Sequence, residues 1–342
     1  MARKKKRIEK KVKIGDKRVS VYGFTAFEIQ QKIEALEAEE ENRLNPTFRT
    51  VAEEWQEEHE KSVEYYTADC YKAPIKDVIS EFGDLKVSEI TPIDIQNFIN
   101  VYAKKGYKRQ TVKLRLSVLK QIFDYSVLHG LIAVNPALSV KIPHSVKNGT
   151  RDLPESADIE KIKAAVKQGF ELFPYFVMYT GMRKEEALAV RYEDIDFKNN
   201  SITVNKVVIF QDGGKPTIRP HTKTDAGMRT TPLLAPLKNI LEQSERKSGY
   251  IFSPAPDGKT PYAKGAFDYA FSKYRKLYGI NCGIHQLRHE FATLCFDAGL
   301  DAKEAQKILG HSKESVTRDI YTHIRESRQK QAIDKLNSFI GT

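Results

Sequence analysis

Between residues 285 and 323 the chain runs His285-Gln286-Leu287-Arg288-His289, then Leu309-Gly310-His311, then Asp319-Ile320-Tyr321-Thr322-His323. Imidazoles, a guanidinium and a phenol thus follow one another on one short stretch. A phenol becomes a useful nucleophile near neutral pH when cations and a proton acceptor favour its phenolate form. Upstream, Gly181-Met182-Arg183-Lys184-Glu185-Glu186 supplies a second arginine, with Glu186 three residues on and on the same helical face. Alone, an Arg-x-x-Glu pair is an ordinary surface ion pair. Beside Arg288 it means more, because two guanidinium forks can hold both non-bridging oxygens of one phosphate through charge-assisted hydrogen bonds. This is equipment for attacking a phosphodiester.

These groups need elements to aim them. Gly181 permits a sharp turn, so Arg183 projects from the start of a helix predicted through Val190. The His285-x-x-Arg288 spacing puts both side chains on one face of a second helix. Between the two, Ser201 to Phe210 reads as a strand, Gln211-Asp212-Gly213-Gly214 as a turn, and Thr217 to Arg219 and Arg229 to Leu233 as further strands. Helices are expected from about Glu155 to Glu193 and again from about Ala263 to the end. A mainly helical domain with one small antiparallel sheet follows.

The stretch Pro143 to Thr150 is turn-rich and aperiodic, the pattern of a linker. Before it, Thr47 to Pro143 reads as helical throughout. Thr91-Pro92-Ile93-Asp94 is a helix start with proline in the first turn, and Val112, Leu116, Leu119, Phe123 and Val127 form a buried stripe ended by Gly130. The polar face of that helix carries Lys108, Arg109, Lys113, Arg115 and Lys120, either solvated or against phosphates. The first 20 residues hold ten lysines and arginines, among them Arg3, Lys4, Lys5, Lys6, Arg7, Lys10 and Lys11, against Glu9 and Asp16. Ile14-Gly15-Asp16-Lys17 reads as a hairpin turn, and Thr25-Ala26-Phe27-Glu28 as a capping box opening a helix that ends at Asn45-Pro46. The expected division is 1–46, a small sheet plus helix; 47–143, helical; 144–153, linker; and 154–342, catalytic.

Bulk composition agrees. The 342 residues carry 56 Lys and Arg against 45 Asp and Glu, a net charge of +11, which favours a polyanionic partner. Cys70, Cys282 and Cys295 have neither the number nor the spacing of a disulfide framework or zinc site, as in a reducing cytosol. No window approaches the apolar length of a membrane span, and no apolar run follows the basic N-terminus, so the expectation is a soluble, unprocessed protein.

In order and separation, Gly181-x-Arg183-x-x-Glu186, Thr222-Lys223-Thr224 before Arg229-Thr230-Thr231-Pro232-Leu233, His285-x-x-Arg288, Leu309-Gly310-His311 and Asp319-Ile320-Tyr321-Thr322-His323 resemble the tyrosine recombinases, the phage integrase family. The motifs cover about residues 150 to 325, and the helical segment 47–143 resembles the family's SAM-like core-binding domain. The resemblance implies a multidomain, mainly α fold with small β elements, and DNA strand exchange through a 3′-phosphotyrosine and a Holliday junction.

It further implies that Tyr321 is the nucleophile, that Arg183 and Arg288 hold the scissile phosphate, that His285 bonds the phosphate or takes the phenolic proton, and that His311 supports the same charge. Lys223 would protonate the departing 5′ oxygen, with Lys206, Lys215 and Lys238 as competing lysines near the sheet. Glu290 stands where the family commonly has a small hydroxyl residue. No nucleotide cofactor or metal is implied.

The implied partners are double-stranded DNA at core and arm sites, three further copies of the chain, and accessory DNA-bending proteins. The implied setting is the bacterial cytoplasm, and the implied source is a phage or conjugative transposon, since the basic N-terminal module resembles arm-site-binding domains. Ile333, Leu336, Phe339 and Ile340 form an apolar stripe that either caps its own domain or docks on a neighbour. The rival readings are a type IB topoisomerase-like nicking-closing enzyme and a non-catalytic DNA-binding accessory protein.

Overall fold

The computed structural model describes residues 7–147, 153–220, 228–311 and 314–340. The chain divides into two units, Met1–Thr150 and Arg151–Thr342.

In the first unit, β1 (Ile8–Ile14) and β2 (Lys17–Gly23) form an antiparallel hairpin in which Ile14 faces Lys17 across a turn at Gly15, φ +55°. Val12, Val19 and Val21 pack on Ile29, Ile33 and Leu36 of α1 (Ala26–Leu44). By alternation along the strands, Lys11, Lys13 and Arg18 occupy the opposite face. Thr25 caps α1 as expected, its hydroxyl accepting from the Glu28 amide at 3.1 Å, but the Glu28 carboxylate reaches one residue further back, to the Phe24 amide at 2.8 Å.

Four helices follow: α2 (Phe48–Ser62), α3 (Tyr65–Phe82), α4 (Pro92–Lys104) and α5 (Arg109–Leu128). Thr91 and Asp94 form the reciprocal capping box at the start of α4. Their shared core includes Phe48, Val78, Phe82, Ile95, Ile99, Val112, Leu119 and Phe123. Each such side chain, fully removed from water, stabilises the fold by roughly 1.5–3 kcal/mol. The α5 stripe is buried as far as Phe123, whereas Val127 at its end is exposed. The start of the expected linker belongs to this unit: Val146 is buried in the same core, and the Arg109 guanidinium donates to the Pro143 and Val146 carbonyls.

The second unit contains α6 (Ser156–Ala165), α7 (Leu172–Thr180), α8 (Lys184–Ala189), β3 (Ile195–Asp196), β4 (Ser201–Val204), β5 (Lys206–Phe210), β6 (Pro216–Pro220), β7 (Arg229–Pro232), α9 (Ala235–Glu242), α10 (Lys264–Tyr278), α11 (Ile284–Asp297), α12 (Ala302–Leu309) and α13 (Glu314–Ile340). α7 is apolar around its whole circumference and is therefore central; Phe173, Phe176, Val177 and Met178 are fully enclosed. A second, smaller core joins Phe291 and Cys295 of α11, Ala305 and Leu309 of α12, and Ile320, Tyr321 and Ile324 of α13.

Two expectations are corrected here. The single strand read from Ser201 to Phe210 is two, broken at Asn205: β4 joins β3 and β7 in one antiparallel sheet, while β5 pairs, among the described residues, only with β6. A helix, α9, also precedes the point where helices were expected to resume. Its Leu237 and Leu241, one turn apart, are fully buried.

Candidate active site

α7 ends at Gly181, whose φ of +63° suits glycine and whose amide donates to the Val177 carbonyl at 2.9 Å. A Cβ there would stand 2.4 Å from Phe291 Cδ1 and 2.8 Å from Leu309 Cδ2, so glycine is also what lets α7 close on α11 and α12. Two residues later Arg183 sits at the N-cap of α8.

The Glu186 carboxylate, fully buried, accepts from the Arg183 amide (2.9 Å), from Arg183 Nη1 (2.8 Å) and from Arg229 Nη1 (3.1 Å) and Nη2 (2.7 Å). Burial opposes its charge, but Arg229 and then Arg183 outweigh that and hold its pKa down at about 2.

The three guanidiniums share a second receptor. Arg229 Nε donates to the Ile308 carbonyl (2.9 Å), Arg288 Nη2 to Leu309 (2.8 Å) and Arg183 Nη2 to Gly310 (2.9 Å). Those are three successive carbonyls at the C-terminus of α12, groups the helix cannot satisfy itself and whose dipole favours cations. Arg288 Nη1 also donates to the Gly181 carbonyl at 2.6 Å. Burial, then the neighbouring Arg183, pulls Arg288 down to about 9, which leaves it cationic at pH 7.

Arg183, His285 and Arg288 line one cleft of about 300 Å³, together with Met182, Lys184, Glu185 and Ile284. His285 is exposed and stacks edge-on against buried His289, ring centroids 4.5 Å apart. His311 follows the end of α12, its Nδ1 2.8 Å from the Thr317 hydroxyl. Burial, followed by Arg288 and Arg183, depresses it to about 3, so the imidazole is neutral at pH 7.

Tyr321 is elsewhere. Its ring is buried, edge-on to Phe296 at 5.1 Å, and borders a separate hollow of about 400 Å³ with Leu300, Asp301 and Arg318. Among the described residues its hydroxyl has no hydrogen-bond partner. Burial, then Cys295, Asp301 and Glu304, pushes the phenol above its ordinary value. That hollow is bordered by Asp301 and Ala302 at the start of α12, whereas the arginines hold the helix's other end.

Of the sequence-predicted residues, Arg183, His285 and Arg288 thus line one cleft, Glu186 is buried behind it against Arg183, His311 is electrostatically coupled to the arginines, and Tyr321 is apart. Lys223, Arg3, Lys4, Lys5 and Lys6 lie outside the described residues. Arg7 lies over the Tyr22 ring at 4.6 Å, and Lys10, Lys11, Lys108 and Lys113 are exposed. Arg115 instead turns inward: it pairs with Asp77 at 2.5 Å and lies under Tyr102 at 4.4 Å.

Sequence reasoning assigned no role to Arg229, His289, Thr317 or Asp158. Arg229 left one signal, a charged residue opening a strand whose next inward position, Thr231, is fully buried. Asp158 of α6 fixes the entry to α11 by accepting from the Asn281 and Cys282 amides at 2.9 and 2.8 Å, a link across more than 120 residues without local trace. Glu290 is half-buried, and burial followed by Asp297 raises its carboxyl.

Two arginines fixed on main-chain carbonyls thus face one cleft, and a buried phenol stands apart from them in the same unit. The Phage integrase family pattern matches residues 156–328, and that of the phage integrase N-terminal SAM-like domain matches residues 47–102. A tyrosine recombinase XerC-like protein of Caldanaerobacter subterraneus subsp. tengcongensis is 29% identical over 296 residues, 75% of this chain and 73% of the relative. The prophage ps2 probable integrase of Lactococcus lactis subsp. lactis is 26% identical over 345 residues, covering 91% and 87%.

Among solved structures, the Tn1549 transposon integrase in complex with circular intermediate DNA aligns with a TM-score of 0.65 at 19% identity, covering 85% of this chain and 99% of that one. A lambda integrase tetramer bound to a Holliday junction aligns at 0.60 and 21%, covering 87% and 91%. These likenesses show the multidomain fold. The chain belongs to the phage integrase family and is a tyrosine site-specific recombinase. No described helix is long and apolar enough to cross a membrane.

Proposed function

We propose that this recombinase cleaves and rejoins DNA with Tyr321 as nucleophile and the Arg183–His285–Arg288 cleft as the scissile phosphate's seat. The observation that carries this is the convergence of those three side chains on one cleft, with both arginines fixed before any phosphate arrives. Preorganised donors of this kind stabilise charge growing on equatorial phosphate oxygens.

Tyr321 Oη attacks phosphorus, the bond to the 5′ oxygen breaks, and that oxygen takes a proton from Lys223. The phenolic proton passes to His285, or to solvent where His285 instead bonds the phosphate, and neutral His311 supports the charge. The phosphotyrosine conserves the ester bond, so a 5′ hydroxyl from another strand reverses the step. The distance between phenol and clamp assigns a further task to assembly, which is to carry Tyr321 to the cleft.

The exposed Ile333, Leu336, Phe339 and Ile340 at the end of α13 suit docking on a neighbouring copy, within a homotetramer like the one lambda integrase forms on a Holliday junction. Residues 47–143, with exposed Lys108 and Lys113, take the core DNA; residues 1–46, with Arg3 to Arg7, Lys10 and Lys11, take arm sites; 144–153 link them to the catalytic part, 154–342. A mobile-element integrase and excisionase of the bacterial cytoplasm, steered by accessory DNA-bending proteins, fits this layout.

The test is a nicked duplex spanning the ends of the element that encodes this chain, incubated in EDTA with wild type or Tyr321→Phe and run on a denaturing gel. A covalent adduct with wild type alone supports the reading. Absence of adduct on DNA that is demonstrably bound overturns it in favour of a DNA-binding accessory role.

A further inference from the structure

Arg229 belongs to the arginine cluster but not to the cleft. It is absent from the cleft lining, and all three of its guanidinium nitrogens already donate within the protein. Its part is therefore played through those partners. What it touches is Glu186, through both oxygens, while its Nε is tied to the Ile308 carbonyl.

Glu186 has three guanidiniums to satisfy. Arg183 and Arg229 hold it at hydrogen-bond distance, and Arg288 Nη1 stands 3.9 Å from its Oε2. A buried carboxylate so placed turns toward whichever cation is least restrained. If it swung toward Arg288, Arg183 would lose the partner that sets its angle, and Arg288 would be drawn from the Gly181 and Leu309 carbonyls that aim it. The planar fork of Arg229, rooted on the end of α12, is the element that prevents the swing. A lysine, a point charge on a flexible stem, cannot reproduce two parallel bonds and a third anchor.

We propose that Arg229 is a positioning residue for strand cleavage, holding Glu186 so that Arg183 and Arg288 present their free N–H groups to the phosphate together. This rests on the reading of the cleft as the phosphate seat.

The experiment measures single-turnover adduct formation at saturating protein on the nicked duplex, alongside affinity for the intact duplex and thermal unfolding. Arg229→Lys keeps a cation beside Glu186 and is the variant least exposed to misfolding. Its adduct rate is expected to fall by one to two orders of magnitude, the scale of a misplacement near 1 Å, with affinity and Tm close to wild type. Arg229→Met, Glu186→Gln and their double form a cycle in which the double reacts no more slowly than the worse single, because both changes break one link.

An Arg229→Lys rate equal to wild type, a rate loss matched by a loss of affinity or Tm, or multiplicative effects in the double would each overturn the proposal. If wild type itself gives no adduct, the phosphate seat fails rather than the role of Arg229.

Discussion

Tyr321 meets the edge of Phe296 at 5.1 Å while its hydroxyl, buried with it, finds no partner among the described residues. An unsatisfied buried hydroxyl weakens a fold rather than supporting it. Tyr321→Phe is therefore expected to leave stability unchanged or raise it by up to about 1 kcal/mol, while abolishing adduct formation. Thermal melts beside the denaturing gel check both halves; a melt several degrees lower would show that the hydroxyl has a structural partner.

Gly181→Ala places a Cβ against Phe291 and Leu309 at a positive φ. Overpacking alone costs about 1–3 kcal/mol, and the left-handed backbone adds to it. Because the Gly181 carbonyl also holds Arg288, the adduct rate should fall further than stability predicts. Urea unfolding and single-turnover rates on the same preparation separate the two effects.

Partly buried among arginines, His311 gives the domain a pH dependence whose sign follows from that burial. Its folded value of about 3 lies below the ordinary 6.5, so the unfolded chain takes up the proton first as pH falls. Stability contributed by the neutral imidazole is present above pH 6.5 and is lost progressively toward pH 3, with a slope of at most about 1.4 kcal/mol per pH unit. Glu186, ordinary value 4.5 and folded value about 2, adds its own loss only below about pH 4.5. Chemical denaturation at pH 7 and pH 5 should show a drop in wild type that His311→Gln reduces.

Lys113 and Arg115 share a helix but should behave differently. Lys113→Ala is expected to weaken DNA binding evenly across sequences and lower the salt slope by about 1, with no change in stability. Arg115→Ala, which strands Asp77 and uncovers Tyr102, should lower the melting temperature of the first unit. Salt-titrated binding and calorimetry distinguish them.

Asp158→Ala leaves the Asn281 and Cys282 amides without their buried acceptor. A loss of about 1–3 kcal/mol is expected, smaller for Asp158→Asn, with faster amide exchange at the start of α11 read by hydrogen-exchange mass spectrometry.

Local chemistry was legible in the sequence. The Thr25 and Thr91 caps, the Gly15 turn, the α5 stripe and the spacing of His285 from Arg288 all depend on neighbours a few residues away. What escaped depends on distant partners. Asn205 breaks a β-prone run because β4 and β5 find different mates, Arg115 turns inward because Asp77 waits 38 residues earlier, and Arg229 reaches back 43 residues to Glu186. The separation of Tyr321 from the arginines was also invisible, since chain order records which groups belong to a site and not whether they have met.

The arginines rest on main-chain oxygens at the end of α12, so the side chains on that helix's outer surface have little say in how the clamp is aimed. Lys303, Gln306 and Lys307 are free to drift, apart from the Gln306 link to the His311 carbonyl. Helix length is not. One inserted residue advances the end of α12 by about 1.5 Å and turns it by about 100°, which would send all three oxygens to the wrong arginine at once. For this segment, substitutions should be tolerated in lineages where insertions and deletions are purged.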